Sequence, residues 1–108
     1  MTQDEQLVQR VREALAGIHD VTEKRMFGSL AFMVRGKLCI SVRPERIMCR
    51  INPDHHNDAL KHDGCRTVIM KGRDNRGYVY IDTEYIRKES KLKYWIDMAL
   101  EYNKSVGK

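Results

Sequence analysis

The feature of this sequence that most constrains its fold is a regular alternation of apolar residues between positions 30 and 42. Read as extended chain, one face of this stretch carries Leu30, Phe32, Val34, Leu38, Ile40 and Val42. Successive side chains of a strand point to opposite faces. A three-residue loop over 35–37, with Gly36 left-handed, pairs Val34 with Leu38, Phe32 with Ile40 and Leu30 with Val42. The stretch therefore predicts a β-hairpin with one buried face.

A further strand is predicted after the turn sequence RPE. Ile47 and Cys49 alternate there with longer, mostly charged residues. Burying them beside the hairpin predicts Ile40 opposite Ile47 and Leu38 opposite Cys49. In this register Cys49 faces the core and Cys39 faces outward. Because thiols on opposite faces of a sheet point apart, we expect no disulfide between them.

Helical periodicity marks both ends of the chain. Apolar residues at i, i+3 and i+4 spacing predict a first helix that begins at about Asp4, its cap, and ends at Leu15 or Gly17. The same spacing predicts a last helix capped by Ser90, with an apolar stripe centred on Trp95. These two stripes are expected to cover the apolar face of the strands.

The middle of the chain supplies the remaining elements. NPDHHNDALKHDG predicts a short helix, while TVIM and GYVYID predict two strands joined by the polar loop KGRDNRG. Positions 21–26 suit a short strand, followed by a bend at Met26, Phe27 and Gly28 in which Phe27 packs under the first helix. The main order is helix, three strands, helix, two strands, helix. We expect residues 1–108 to form one α+β domain, a two-layer α-β(3)-α-β(2)-α fold with a mostly antiparallel sheet.

The N-terminal sequence, the hydropathy and the Cys pattern indicate where in the cell the protein is found. The N-terminal sequence MTQDEQLVQR lacks the basic start and apolar block of a signal peptide, and no apolar run approaches the roughly 20 residues of a membrane span. The 3 Cys form no CxxC pair, which is typical of reduced thiols. These features predict a cytoplasmic protein with no membrane association.

The candidates for chemistry are weak. His55, His56 and His62 lie near Asp58 and Cys65, but adjacent helical His side chains point about 100° apart, so we expect solvent-exposed His residues and no metal. Cys39 lacks a recognisable base for nucleophilic catalysis. The KGRDNRG segment lacks the GxxxxGK[ST] phosphate-binding pattern. The sequence therefore predicts no catalytic, cofactor or metal site and no enzyme.

The predicted outward face of the three-stranded unit is unusually apolar. An apolar centre with a charged rim is the usual layout of a protein interface, where Met and Arg are enriched. The predicted interface consists of Met33, Cys39, Ser41, Met48, Arg46 and Arg50. We expect its partner to be a second copy, giving a homodimer, or a different protein.

An alternative function is direct nucleic-acid binding. The chain has 20 Lys and Arg against 15 Asp and Glu, a net charge of +5, and such a balance attracts polyanions. The basic residues of this alternative site are Arg43, Arg46, Arg50, Lys71, Arg73 and Arg76. Tyr78, Tyr80 and Tyr85 suit base stacking, but Tyr78 and Tyr80 share a face and equally suit half-buried sheet positions.

Four segments of the chain carry a family resemblance. RVREAL, VTEKRMFGSLAFMVRGKLCISV, GRDNRGYVYID and YWIDMALEY resemble the TfoX N-terminal domain family, over about Leu7 to Tyr102. The block RMFGSLAFMV-G-LC is the most specific part. The resemblance implies the same α-β(3)-α-β(2)-α order and no established catalytic residues.

The resemblance also implies a class of function. Full-length TfoX proteins regulate bacterial competence for DNA uptake and carry a second, C-terminal domain. This chain ends at Lys108, and we expect it to act as a single-domain relative. The implied function is that of a non-catalytic regulatory and protein-interaction module in transcriptional or competence regulation.

Overall fold

A computed structural model describes residues 3–26, 28–70 and 72–106. Within them, six strands form one sheet in the order β1-β2-β3-β4-β6-β5, and every neighbouring pair is antiparallel. The strands are β1 (Val21–Met26), β2 (Ser29–Val34), β3 (Lys37–Val42), β4 (Arg46–Arg50), β5 (Cys65–Met70) and β6 (Arg73–Asp82). The helices are α1 (Gln3–Ala14), α2 (His56–Ala59) and α3 (Glu89–Val106), with 3-10 turns at Pro53–His55 and Thr83–Tyr85.

The predicted α+β class and two-layer arrangement are confirmed. The short strand that suited positions 21–26 is present as β1, so four strands rather than three precede α2. None of the helices in the described part of the chain is long and apolar enough to cross a membrane. The predicted packing of Phe27 and the predicted side-chain cap at Asp4 lie outside what the structure describes.

The β2–β3 hairpin forms as predicted at its base and differs at its turn. Leu30 pairs with Val42 and Phe32 with Ile40, as the alternation required. The predicted three-residue loop is wrong, because Val34 pairs with Lys37 and only positions 35 and 36 form the turn. Both turn residues have positive φ, 54° and 77°, as the favoured two-residue hairpin turns need.

The shorter turn creates a β-bulge at Cys39. Met33 pairs with Leu38 and Phe32 pairs with Ile40, so Cys39 has no cross-strand partner. An extra residue on one strand disrupts the regular in-and-out alternation. Cys39 consequently packs in the core with 1% of its surface exposed, and its predicted outward position is wrong.

The predicted register of β3 and β4 is also wrong, by two residues. Ile40 lies opposite Cys49, and Val42 lies opposite Ile47. The reason is the tight connection 43–46, in which the Arg43 amide donates to the Arg46 carbonyl over 2.9 Å. A shift of two residues leaves each side chain on its original face. Ile47 and Cys49 therefore remain buried as expected.

The core lies between one face of the sheet and the helices α1 and α3. Its sheet side is built from Phe32, Ile40, Ile47 and their neighbours, and its helix side from Leu7, Val11, Leu92, Trp95, Ile96 and Ala99. The Asn103 side chain of α3 donates to the Val34 carbonyl over 3.0 Å, which anchors the end of α3 to the hairpin. Both predicted helical stripes are thus buried on the same side of the sheet.

Residues 73–77 of the predicted loop KGRDNRG belong to strand β6 instead. β6 begins at Arg73 and pairs with β5 as far as Met70. β4 contacts β6 only over 78–82, so the distal part of the β5–β6 hairpin extends beyond β4. Thr67 pairs with Val79, whereas the next residue, Val68, pairs with Asn75. The β6 residues 76–78 are therefore extra residues at the base of this extension.

Candidate interaction surface

The face of the sheet opposite α1 and α3 is the candidate functional site, and we call it the open face. Strand register places one continuous row of side chains across it, from edge to edge: Lys24, Ala31, Ser41, Met48, Tyr80 and Arg66. Two positions along the strands from this row, the same face carries Met33, Arg46, Arg50, Tyr78 and Asp82. The apolar sides of α1 and α3 pack on the opposite face, and Tyr102 near the end of α3 reaches the open-face residue Arg50.

The centre of the open face is shallow and largely apolar. Ala31 is fully buried and Ser41 is 9% exposed, although no helix covers them. Small side chains at the middle of a sheet lie below the level of longer neighbours. Met33 and Met48 are such neighbours, and both are half-buried. The centre therefore presents two flexible thioether side chains beside Ala31 and Ser41, which are buried.

Arg46 is held in a fixed position on this face by an aromatic ring. Its guanidinium carbon lies 3.9 Å from the centroid of the Tyr80 ring, within the range of a cation–π interaction. The Arg46 Nε is buried and has no hydrogen-bond partner among the described residues. Guanidinium N–H groups lie in the plane of the group, so stacking on a ring leaves its donors unused. Arg46 is thus positioned to bind an acceptor.

Arg50 occupies a similar position at one end of the face. Its guanidinium carbon lies 5.6 Å from the Tyr78 ring centroid and 5.5 Å from that of Tyr102 in α3. Arg50 therefore bridges the sheet and the end of α3 through two aromatic rings. Like Arg46, it forms no ion pair within the described residues.

The charge of the open face is strongly unbalanced. Asp82 is the single carboxylate among the open-face positions named above, and it is bonded to Arg66 over 2.6 Å. Lys24, Arg46 and Arg50 have no such partner in the part of the chain described. The face consequently presents three uncompensated cations around its apolar centre.

Most of the predicted interface residues lie together on the open face. Met33, Met48, Arg46 and Arg50 are half-buried there, as expected from their strand positions. Ser41 belongs to the same face but is buried.

Cys39 is the exception among the predicted interface residues, because the bulge turns it into the core. Burial raises the pKa of its thiol to about 12, and its position in the core removes it from the open face.

The alternative nucleic-acid set is only partly brought together. Arg46 and Arg50 share the open face, and Arg43 lies half-buried just beyond the end of β3. Arg76 is exposed among the extra residues of β6. Arg73 begins β6, while Lys71 and the side chain of Arg73 lie outside the described residues.

His56 is a structural residue that the sequence did not reveal. It was expected in solvent, yet it is 5% exposed. Its Nδ1 accepts from the Gly77 amide over 3.0 Å, and its Nε2 lies 2.8 Å from the Thr67 hydroxyl. An accepting Nδ1 requires the neutral imidazole. His56 therefore fixes the extra residues of β6 and, with them, the position at which Tyr78 joins the open face.

No metal site is formed by the described residues. Within 3–26, 28–70 and 72–106, no three His, Cys, Asp or Glu side chains lie close enough to hold an ion. His55 points to solvent, and His62 contacts the rings of Tyr94 and Trp95 instead. His55 and His62, which suggested a metal site, therefore face solvent and aromatic rings respectively.

Comparison with known proteins gives one positive result. The family model described as the TfoX N-terminal domain matches residues 13–102. Neither the curated proteins nor the solved structures yield a match. The matched residues run from the end of α1 to the last turns of α3, so they include every strand of the sheet.

Proposed function

Since the chain belongs to the TfoX N-terminal domain family, we propose that it is a non-catalytic regulatory module that binds an acidic protein partner on its open face. The observation that carries this proposal is the combination of the partly exposed Met33 and Met48 with three cations that form no ion pair among the described residues. The module acts in transcriptional or competence regulation, by presenting this face to a protein of the regulatory machinery.

The apolar centre supports a protein partner. An antiparallel sheet that leaves one face in water usually carries polar side chains there. Here the middle of the face is Met33, Met48, Ala31 and Ser41. Met adapts its shape to irregular surfaces and is enriched in the buried centre of interfaces. A partner side chain that packs against Met33 and Met48 supplies the hydrophobic part of the binding energy.

The charge supports an acidic partner rather than a second copy on this face. A two-fold axis through the open face would bring each set of cations towards the identical set of the other molecule. Like charges at an interface are unfavourable, whereas complementary charges raise both specificity and association rate. Lys24, Arg46 and Arg50 therefore favour Asp- or Glu-rich sequences.

The geometry of Arg46 supports carboxylate recognition in particular. Its guanidinium is stacked on Tyr80, and its N–H donors lie in the guanidinium plane. A carboxylate can accept two parallel hydrogen bonds from such a group. Because the ring already restricts the side chain, less conformational entropy is lost when a carboxylate binds.

Direct nucleic-acid binding remains the second candidate, carried by the same cations. Phosphate oxygens also accept from Arg46 and Arg50. The Tyr80 ring, however, is covered by the Arg46 guanidinium, so it is not free to stack on a base. The structure thus favours the protein partner over a single-strand stacking platform.

Capture from a native lysate, with and without nuclease, tests the proposal. Wild type should retain a protein that survives nuclease treatment, and Arg46→Gln should retain much less of it. Lys91→Gln is the matched control, since Lys91 is exposed on α3, and α3 packs on the opposite face of the sheet. Nuclease-sensitive capture would support the nucleic-acid alternative. Equal capture by wild type and Arg46→Gln would contradict both.

A further inference from the structure

The two edges of the sheet are chemically different. β1 and β5 are the outer strands, and each pairs on one side only within the described residues. The free side of an edge strand presents unpaired backbone N–H and C=O groups, which another strand can pair with. Native proteins usually block such edges with charge, proline or bulges.

The β1 edge is blocked by charge. Glu23, Lys24 and Arg25 follow one another along it, and all three side chains are exposed. Arg12 of α1 also donates to Glu23 over 2.7 Å, which keeps a helix side chain at this edge. An incoming strand would have to desolvate this run of charges.

The β5 edge lacks this protection. Ile69 is 62% exposed, the highest value among the exposed large hydrophobic residues of the described chain. The charge of Arg66 is engaged by Asp82 across the face, at 2.6 Å. The three extra residues of the β5–β6 pair lie on β6, so β5 itself keeps an unbroken series of partners from Cys65 to Met70. β5 is therefore a regular, nearly neutral strand with an exposed apolar side chain.

We infer that β5 pairs antiparallel with β5 of a second copy, joining two sheets into one continuous sheet. Antiparallel pairing of identical strands about a two-fold axis is self-complementary, because each contact occurs twice. The Arg66–Asp82 ion pair removes the like-charge repulsion that identical strands would otherwise meet. The second strand covers Ile69 and satisfies the free backbone groups. The open face remains uncovered in such a dimer.

Sedimentation equilibrium over about a hundredfold range of concentration tests this pairing, since a dimer must follow mass action. The mass of wild type should rise from monomer towards dimer. Ile69→Lys should raise the dissociation constant at least about tenfold, because it places like charges on paired strands. Thr22→Lys, an exposed position on β1, is the matched control and should leave the dissociation constant unchanged.

Hydrogen exchange of the unmodified protein provides an independent readout. The amides of β5 should exchange more slowly as concentration rises, while those of β1 should not change. A wild-type monomer across the whole range overturns the inference, even if a different protein can pair with β5. A dimer that is insensitive to Ile69→Lys, or whose β5 amides show no protection, overturns it as well. Met33→Glu with Met48→Glu should leave this dimer intact, which separates it from the partner site of the open face.

Discussion

Replacing His56 by Ala is the most informative perturbation of the fold. The imidazole is buried and accepts from the Gly77 amide, which is itself buried. Loss of the acceptor leaves that N–H unsatisfied, at a cost of about 1–3 kcal/mol. The emptied ring volume adds about 1–2 kcal/mol. The half-buried Thr67 hydroxyl can turn towards water, so its lost hydrogen bond adds little. We therefore expect His56→Ala to lower the free energy of unfolding by about 2–5 kcal/mol.

Urea denaturation followed by circular dichroism measures this change, with His55→Ala as the control. His55 is the preceding residue and its side chain is exposed, so its removal should change the free energy of unfolding by no more than about 0.5 kcal/mol. A loss below about 1 kcal/mol for His56→Ala would refute the reasoning, since it would mean that Gly77 finds another acceptor. Equal losses for both variants would refute it too.

Three further predictions concern the core and one ion pair. Trp95→Ala should destabilise by about 3–5 kcal/mol in the same assay, because the ring is 3% exposed; a loss below about 1 kcal/mol would contradict its place in the core. Native protein should resist alkylation at Cys39, Cys49 and Cys65, because all three thiols are buried. Burial also raises the pKa of Cys39 to about 12 and that of Cys65 to about 11. Mass spectrometry should show labelling only after denaturation, and rapid labelling of Cys39 in the native protein would disprove the bulge. The pKa of Glu23 lies below its ordinary value because Arg12 bonds to it. The stability gained from this pair is therefore complete above the ordinary Glu pKa and is lost as pH falls through the lowered value. NMR titration should show the pKa of Glu23 rising in Arg12→Gln, and an unchanged pKa would remove Arg12 as the cause.

The sequence predicted which face of each strand is buried better than it predicted pairing partners. The period-2 pattern of Leu30, Phe32, Ile40 and Val42 determines the buried face whatever the loop length. The loop itself depended on a positive φ at Arg35, a conformation that a non-glycine residue adopts rarely. One residue fewer in the loop moved the irregularity into β3 and turned Cys39 inward.

Only part of the open face could be predicted from the sequence, and the reason is the order of the strands in the sheet. Met33, Met48, Arg46 and Arg50 lie on strands that are consecutive in sequence, so alternation alone identified them. Other side chains of the face, such as Lys24, Arg66 and Tyr80, lie on β1, β5 and β6, and the insertion of β6 between β4 and β5 sets the neighbours of the last two. That order brings Tyr80 beside Met48 and under Arg46. A single sequence contains no local signal for such a non-consecutive pairing.

The burial of His56 and the strand structure of residues 73–77 could not be predicted for related reasons. A His next to Asp and Asn on a short helix has the local character of a solvent-exposed residue. Its burial follows from the position of α2 over the base of the β5–β6 hairpin, where the His56 ring nitrogens contact the Gly77 amide and the Thr67 hydroxyl. Residues 73–75 show no apolar alternation in the sequence, whereas in the structure they pair with β5.

The most direct test of the open face as the partner site is a methyl NMR titration of Met-labelled protein with the captured partner. Met33 and Met48 lie on the open face, while Met98 lies in α3 on the other side of the sheet and serves as the control within the same spectrum. Binding at the open face should shift or broaden the Met33 and Met48 methyl signals and leave that of Met98 unchanged. A titration that moves Met98 while Met33 and Met48 stay fixed would contradict the proposed site.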